Sequence, residues 1–152
     1  PFEQAIKNGA DAILVGHLMV KGVTGIYPAS LSRKFIYKYL RKKYRYNGLI
    51  VTDDLKMRSI KFVYGADLAV IKAFEAGNDI IVFRFGKDEE KRVINKIINL
   101  VKKGEIKEYR INNSVKRIIK MKQKYNISDT DEIEGINLEE INREIQEVKE
   151  SI

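Results

Sequence analysis

The chain has no cysteine, a single histidine and two prolines among its 152 residues. Without thiols it can build neither a disulfide framework nor a thiolate metal site. No apolar run approaches the roughly 20 residues that a bilayer crossing needs, and no charged, apolar, then small-residue signal pattern opens the chain. The sequence therefore reads as a soluble polypeptide. These absences exclude chemistry rather than location, and both a cytoplasmic and a secreted setting stay open.

With 44% hydrophobic and 33% charged residues, the chain has the size and composition of one globular domain that can bury a core. Its net charge of +8 is unevenly spread. From Asn126 to Ile152 nine acids face only Arg143 and Lys149, so the tail carries −7 and the rest of the chain +15. Such a split suits a basic body that meets nucleic acid, or a tail that neutralises the body. The lysines lie on helix-like stretches without a recognised nucleic-acid motif, which favours solvated helix faces and no nucleic-acid partner.

An alternation runs along the sequence. Phe2 to Lys7 is helix-like, and Asn8-Gly9 stops it before the strand-like run Ala12 to Val15. A Gly-containing loop from Lys21 to Pro28 follows. Ser30 or Ser32 then caps a helix on which Phe35, Ile36, Tyr39 and Leu40 recur at helical spacing. Asn47-Gly48 introduces the second run, Leu49-Ile50-Val51. A helix around Ala66 to Ala76 closes at Gly77-Asn78 before the third run, Asp79 to Phe83. Two further helices are expected over Asp88 to Lys103 and Lys107 to Tyr125, separated at Gly104. Apolar runs that do not alternate with polar residues suit strands covered on both faces, with helices as parallel crossovers. The expected class is α/β. Three strands close no barrel, and the first helix lacks a preceding strand, so the chain reads as a piece of a larger fold.

The second run ends on Asp53-Asp54. In parallel β/α proteins the reactive groups gather at the carboxyl ends of the strands, where loops leave the sheet. The ordinary structural alternative is that one acid caps the following helix and the other is solvated. Adjacent residues of an extended segment point opposite ways, so one acid faces the mouth while the other supports it.

These residues carry a resemblance. Ile13-Leu14-Val15-Gly16-His17, then Tyr27-Pro28-Ala29-Ser30-Leu31-Ser32, then Asn47 to Met57 (NGLIVTDDLKM), are similar in order to the second half of the catalytic barrel of family 3 glycoside hydrolases. The likeness continues through Ala73 to Asp79 (AFEAGND) and Arg110 to Ile118 (RINNSVKRI), and spans residues 1 to about 126. The Thr-Asp-Asp-Leu-x-Met form resembles the β-N-acetylhexosaminidase branch, whereas the β-glucosidase branch, kept as the runner-up, usually has Ser-Asp-Trp. The resemblance implies a partial (β/α)8 TIM-type barrel, its last three strands with their helices, over residues 1–126, and an acidic extension over 127–152.

The resemblance also implies site residues. Asp53 stands at the place of the catalytic nucleophile, which would form a glycosyl-aspartate intermediate with retention of configuration. Thr52 and Asp54 would support it, Asp54 being the second choice as nucleophile. Met57 and His17 would touch the sugar, although Met57 is otherwise wall or core, and a lone histidine is commonly structural. The family's general acid belongs to a Lys-His-Phe-Pro-Gly-His-Gly-Asp type motif upstream, which this sequence does not contain. Arg84, where the family often has an apolar residue and Pro, suits either a carboxylated sugar or solvent. Arg58 to Lys61 replaces the family's usual small residues after the methionine.

No metal or organic cofactor is implied; the partner is a carbohydrate substrate, and the oligomeric state stays open. The isolated chain is expected to be nearly inactive, with exposed sheet edges that favour self-association. Two other readings are a non-catalytic basic module that holds polyanions and a divalent-metal enzyme that uses Asp53 with Asp54. In the tail, Ile141, Ile145, Val148 and Ile152 recur at helical spacing, predicting a helix with one apolar stripe and an acidic back.

Overall fold

The protein is seen in a computed structural model that describes residues 1–84, 86–128 and 138–150. The order of elements is helix α1 (Phe2–Lys7), strand β1 (Ala12–Val15), a 3-10 turn (Ala29–Leu31), a π-helix (Lys34–Lys43) and strand β2 (Leu49–Thr52). Helices α2 (Arg58–Ala76), α3 (Lys87–Lys102), α4 (Glu108–Lys124) and α5 (Leu138–Glu150) follow. Two compact units divide the chain, residues 1–121 and 122–152. In the first, β1 and β2 pair in parallel, with Ala12 opposite Leu49 and Val15 opposite Thr52. A parallel pair needs a crossover, and the π-helix supplies it.

The third apolar run differs from expectation. Among the described residues it makes a single parallel bridge, Val51 to Ile80, rather than a strand. The Thr52 amide donates to the Ile80 carbonyl at 3.1 Å and the Ile80 amide to the Ile50 carbonyl at 3.1 Å, as a ladder requires. Beyond that bridge the regular pattern stops: the Val82 amide donates to Thr52 Oγ1 at 3.0 Å, and the Val82 carbonyl accepts the Leu55 amide at 3.0 Å. The expected three strands are thus two strands and one bridged extended segment.

Coverage of the sheet is uneven too. β2 is buried along nearly its whole length, whereas Leu14 on β1 is 66% exposed, so only β2 meets the expectation of a strand covered on both faces.

Two helices also depart from a plain α-helical reading. The Phe35 to Leu40 pattern forms a π-helix closed by the Tyr44 amide on the Tyr39 carbonyl at 2.9 Å. Ile36 and Leu40 are still its buried positions, as the spacing predicts. Ser32 is the cap, accepting the Phe35 amide at 3.1 Å. α2 begins earlier than expected and breaks at Gly65, whose φ of 68° is a left-handed conformation that glycine adopts without a Cβ penalty. In the second unit α5 forms where the amphipathic tail helix was expected, with Ile145 exposed. Ile152, and the side chains of Ile141 and Val148, lie outside the described residues.

Two cores flank the sheet. Ile36, Leu40 and Ile50 join the π-helix to β2. Leu31, Leu55, Ile60, Val70 and Val93 join α2 and α3 beneath the loop that leaves β2. Gly48 marks a close approach at the start of β2, where a Cβ would meet the Tyr46 ring and the Asp11 carbonyl. At the same end of the sheet the Asp79 carboxylate is fully buried. It accepts from the Ile50 amide at 3.0 Å, Ser114 Oγ at 2.6 Å, Arg117 Nη1 at 3.0 Å and Arg41 Nη2. One side chain thereby joins β2, the π-helix and α4. Burial lowers the pKa of Arg41, and its attraction to Asp79 opposes that shift.

Removing one partner of a buried pair leaves uncompensated charge, a cost of about 3–5 kcal/mol. Asp79→Asn should therefore lower the urea-unfolding free energy by an amount of that order, with an unchanged midpoint counting against Asp79 as the anchor.

Candidate active site

β2 delivers Asp53 and Asp54 to the carboxyl end of the sheet, where the following turn is tightly held. The Asp53 amide donates to the Val15 carbonyl at 3.1 Å, continuing the pairing to β1 by one residue. Its Oδ1 accepts the Asp54 amide at 2.8 Å, and no other hydrogen bond is recorded for that carboxylate among the described residues. Asp54 is bound quite differently. Its Oδ1 accepts the Lys56 amide at 2.9 Å, and its Oδ2 accepts Arg84 Nε at 3.1 Å. The Lys56 amide holds the Asp54 carboxyl below its ordinary range; burial opposes it as the next largest effect, and Arg84 adds to the lowering.

The two acids therefore separate into a half-exposed carboxylate with a free oxygen and a carboxylate that closes the turn. This arrangement suits Asp53 for attack on an electrophile and Asp54 for support. Among the described residues no group of three His, Asp or Glu side chains is placed to hold a metal ion.

The other expected residues lie around the same turn. Thr52 is fully buried, and its hydroxyl takes the Val82 amide, so it ties the third segment to β2 rather than reaching the Asp53 carboxylate. Met57 is 47% exposed at the head of α2, and its amide donates to the Asp54 carbonyl at 3.1 Å. His17, two residues beyond β1, lies within hydrogen-bond reach of Ser30 Oγ through Nδ1 at 2.7 Å and of the Asp54 carbonyl through Nε2 at 3.0 Å. Both ring nitrogens thus meet protein groups.

Two partners escaped the sequence reading. Ser30 reads from the sequence as a helix cap and as part of the Tyr27 to Ser32 motif, and nothing in its spacing points to His17. The sequence puts Arg84 near the site mouth, but its pairing with Asp54 needs the third segment to lie beside β2. Phe85, beside Arg84 in the departure from the family pattern, lies outside the described residues.

Comparison with known proteins bears on this geometry. Residues 1–121 match the model of the glycosyl hydrolase family 3 N terminal domain. An uncharacterized secreted glycosyl hydrolase of Arthroderma benhamiae is 32% identical over 120 residues, which are 78% of this chain and 34% of that protein. Beta-hexosaminidase LpqI of Mycobacterium tuberculosis is 31% identical over 128 residues, 80% of this chain and 32% of its own length. A family 3 beta-N-acetylglucosaminidase from Paenibacillus superposes with a TM-score of 0.76 at 32% identity, covering 89% of this chain and 27% of its own. The chain spans about a third of the curated relatives it matches.

The geometry fixes a pH dependence. Because the folded Asp54 pKa lies below the ordinary 3.8, its stabilisation is present above that value and is lost as pH falls through the lowered folded one. Carboxyl-detected NMR titration should show Asp54 protonating below 3.8, and Arg84→Ala should move that midpoint upward. An Asp54 that titrates at or above 3.8 in the unsubstituted chain would contradict the turn geometry.

Proposed function

The chain belongs to glycosyl hydrolase family 3, and from that premise we propose that it is part of a retaining β-N-acetylhexosaminidase with Asp53 as the nucleophile. Residues 1–126 supply the last three strand positions of a (β/α)8 barrel, the third of them the bridged segment around Ile80. Residues 127–152 form an acidic extension. The observation that carries the reading is the division of labour at the end of β2: Asp54 is spent on the turn, while Asp53 keeps an oxygen free. The Thr-Asp-Asp-Leu-x-Met sequence and the hexosaminidase-named relatives support the N-acetylhexosaminide over the glucoside.

In this mechanism Asp53 attacks the anomeric carbon, the glycosidic C–O bond breaks, and a glycosyl-aspartate forms. Water then attacks the same carbon from the face the leaving group vacated, so configuration is retained. Protonation of the leaving oxygen falls to a general acid outside these 152 residues. Met57 lines the sugar site. His17 meets the sugar only through a carbon edge, its nitrogens being committed elsewhere.

The purified chain should be nearly inactive on chromogenic N-acetylglucosaminides, because it lacks the acid and most sugar contacts. Turnover by it would overturn that expectation. The catalytic assignment is tested on the continuous coding frame that contains residues 1–152. The expressed protein should release the β-anomer first by proton NMR, and Asp53→Asn should lower kcat by roughly a thousandfold or more. Full activity in the Asp53→Asn variant would exclude Asp53 as the nucleophile.

A further inference from the structure

We propose that His17 is the positioning residue for Asp53, acting as a strut between the buried hydroxyl of Ser30 and the main-chain carbonyl of Asp54. The inference rests on the reading of Asp53 as nucleophile and adds to it what holds that carboxylate still. A glycosidic nucleophile must lie about 3–3.5 Å from the anomeric carbon and in line with the departing oxygen. An aspartate on a loop has rotatable side-chain bonds, so something must fix both its backbone and its carboxylate plane. Its oxygen is held by the Asp54 amide, so the carboxylate is only as fixed as the backbone of Asp54.

The far end of the strut is rigid. Ser30 is fully buried, its amide donates to the Gly16 carbonyl at 3.3 Å, and its carbonyl accepts Asn78 Nδ2 at 2.8 Å. Asn78 is itself fully buried, and its Nδ2 also donates to the Ala73 carbonyl at 2.6 Å, so Ser30 is fastened to the end of α2. The near end is the Asp54 carbonyl, which takes two donors, the Met57 amide and His17 Nε2.

A carbonyl oxygen can only accept, so Nε2 carries the proton. In the neutral ring Nδ1 is then bare and accepts from the Ser30 hydroxyl, the shorter of the two contacts. Donor and acceptor sit on opposite sides of one planar ring with no torsion between them. That rigidity lets the ring transmit the position of a buried turn to the Asp54–Leu55 peptide, and through the Asp54 backbone to the amide that holds Asp53, and it leaves neither nitrogen for proton transfer.

Aromatic 15N NMR of the 152-residue chain tests the strut without substrate. The unsubstituted protein should show the His17 ring protonated on Nε2, and Ser30→Ala should shift the Nδ1 resonance. A ring protonated on Nδ1 alone overturns the proposal. His17→Phe keeps the volume and removes both contacts; the Asp54 amide should then exchange roughly tenfold faster, about the loss of one hydrogen bond, with the Ile13 and Ile50 amides unaffected. His17→Gln, which can place a donor near Nε2, should restore much of that protection. An Asp54 amide unchanged in His17→Phe also overturns the proposal. Should His17→Phe fail to fold, the tautomer and the Ser30→Ala shift decide the matter. In the active coding frame His17→Phe should lower kcat more than it changes KM, and His17→Gln should recover much of that kcat. The NMR results stand whatever sugar is cleaved, whereas an active Asp53→Asn variant sinks the nucleophile reading alone.

Discussion

The carboxylate of Asp79 lies out of water between three elements, and its bonds decide how those elements sit. It takes the Ile50 amide, two arginines and the Ser114 hydroxyl, so β2, the π-helix and α4 share a single anion. A buried carboxylate without partners would cost several kcal/mol, and its partners would lose as much without it. The constraint is therefore mutual. Arg110 extends the same layer, donating to the Phe74 carbonyl at 3.0 and 3.2 Å, to the Asn78 carbonyl and to Ser114 Oγ. Polar anchoring is concentrated where the strands begin.

The adjacent residue, Asn78, carries that anchoring towards the other end. Its side-chain amide holds the Ser30 carbonyl, the Ser30 hydroxyl meets His17, and His17 meets the Asp54 carbonyl. Rigid packing makes such a relay effective, because close-packed interiors transmit displacement rather than absorb it. The strand-start network thus bears on the site through residues that never touch a sugar. Site geometry and stability depend on overlapping side chains, although no single hydrogen bond in the series contributes more than about 1–2 kcal/mol.

Much of this was legible in the sequence because it follows from local patterns. The runs at Ala12 and Leu49 are β1 and β2, and Asn47-Gly48 and Gly77-Asn78 punctuate as read. Ile36 and Leu40 are buried, as their spacing requires. What escaped depends on contacts between distant residues. The sequence suggests Thr52 as an aid to Asp53, whereas its hydroxyl takes the Val82 amide beside the single bridge of the third segment. Ser30 and His17 are 13 residues apart, and His17 and Asp54 are 37 apart, with no periodicity to link them. The break at Gly65 was hidden because a glycine inside a helical pattern is ordinarily tolerated there.

The placement of Thr52 explains why a hydroxyl suits the residue before the paired acids. A strand that delivers a reactive side chain must end its ladders without leaving buried donors unpaired. On one side Asp53 solves this with its own amide, which reaches the Val15 carbonyl of β1. On the other, the Val82 amide goes to the Thr52 hydroxyl while the Val82 carbonyl takes the Leu55 amide at 3.0 Å. Valine, of nearly the same shape, would fill the space and orphan that amide at a cost of about 1–3 kcal/mol. Alanine would add a void. The hydroxyl thus lets β2 end without an orphaned donor on that side, and Asp53, its amide still on β1, turns its carboxylate to the Asp54 amide through one oxygen.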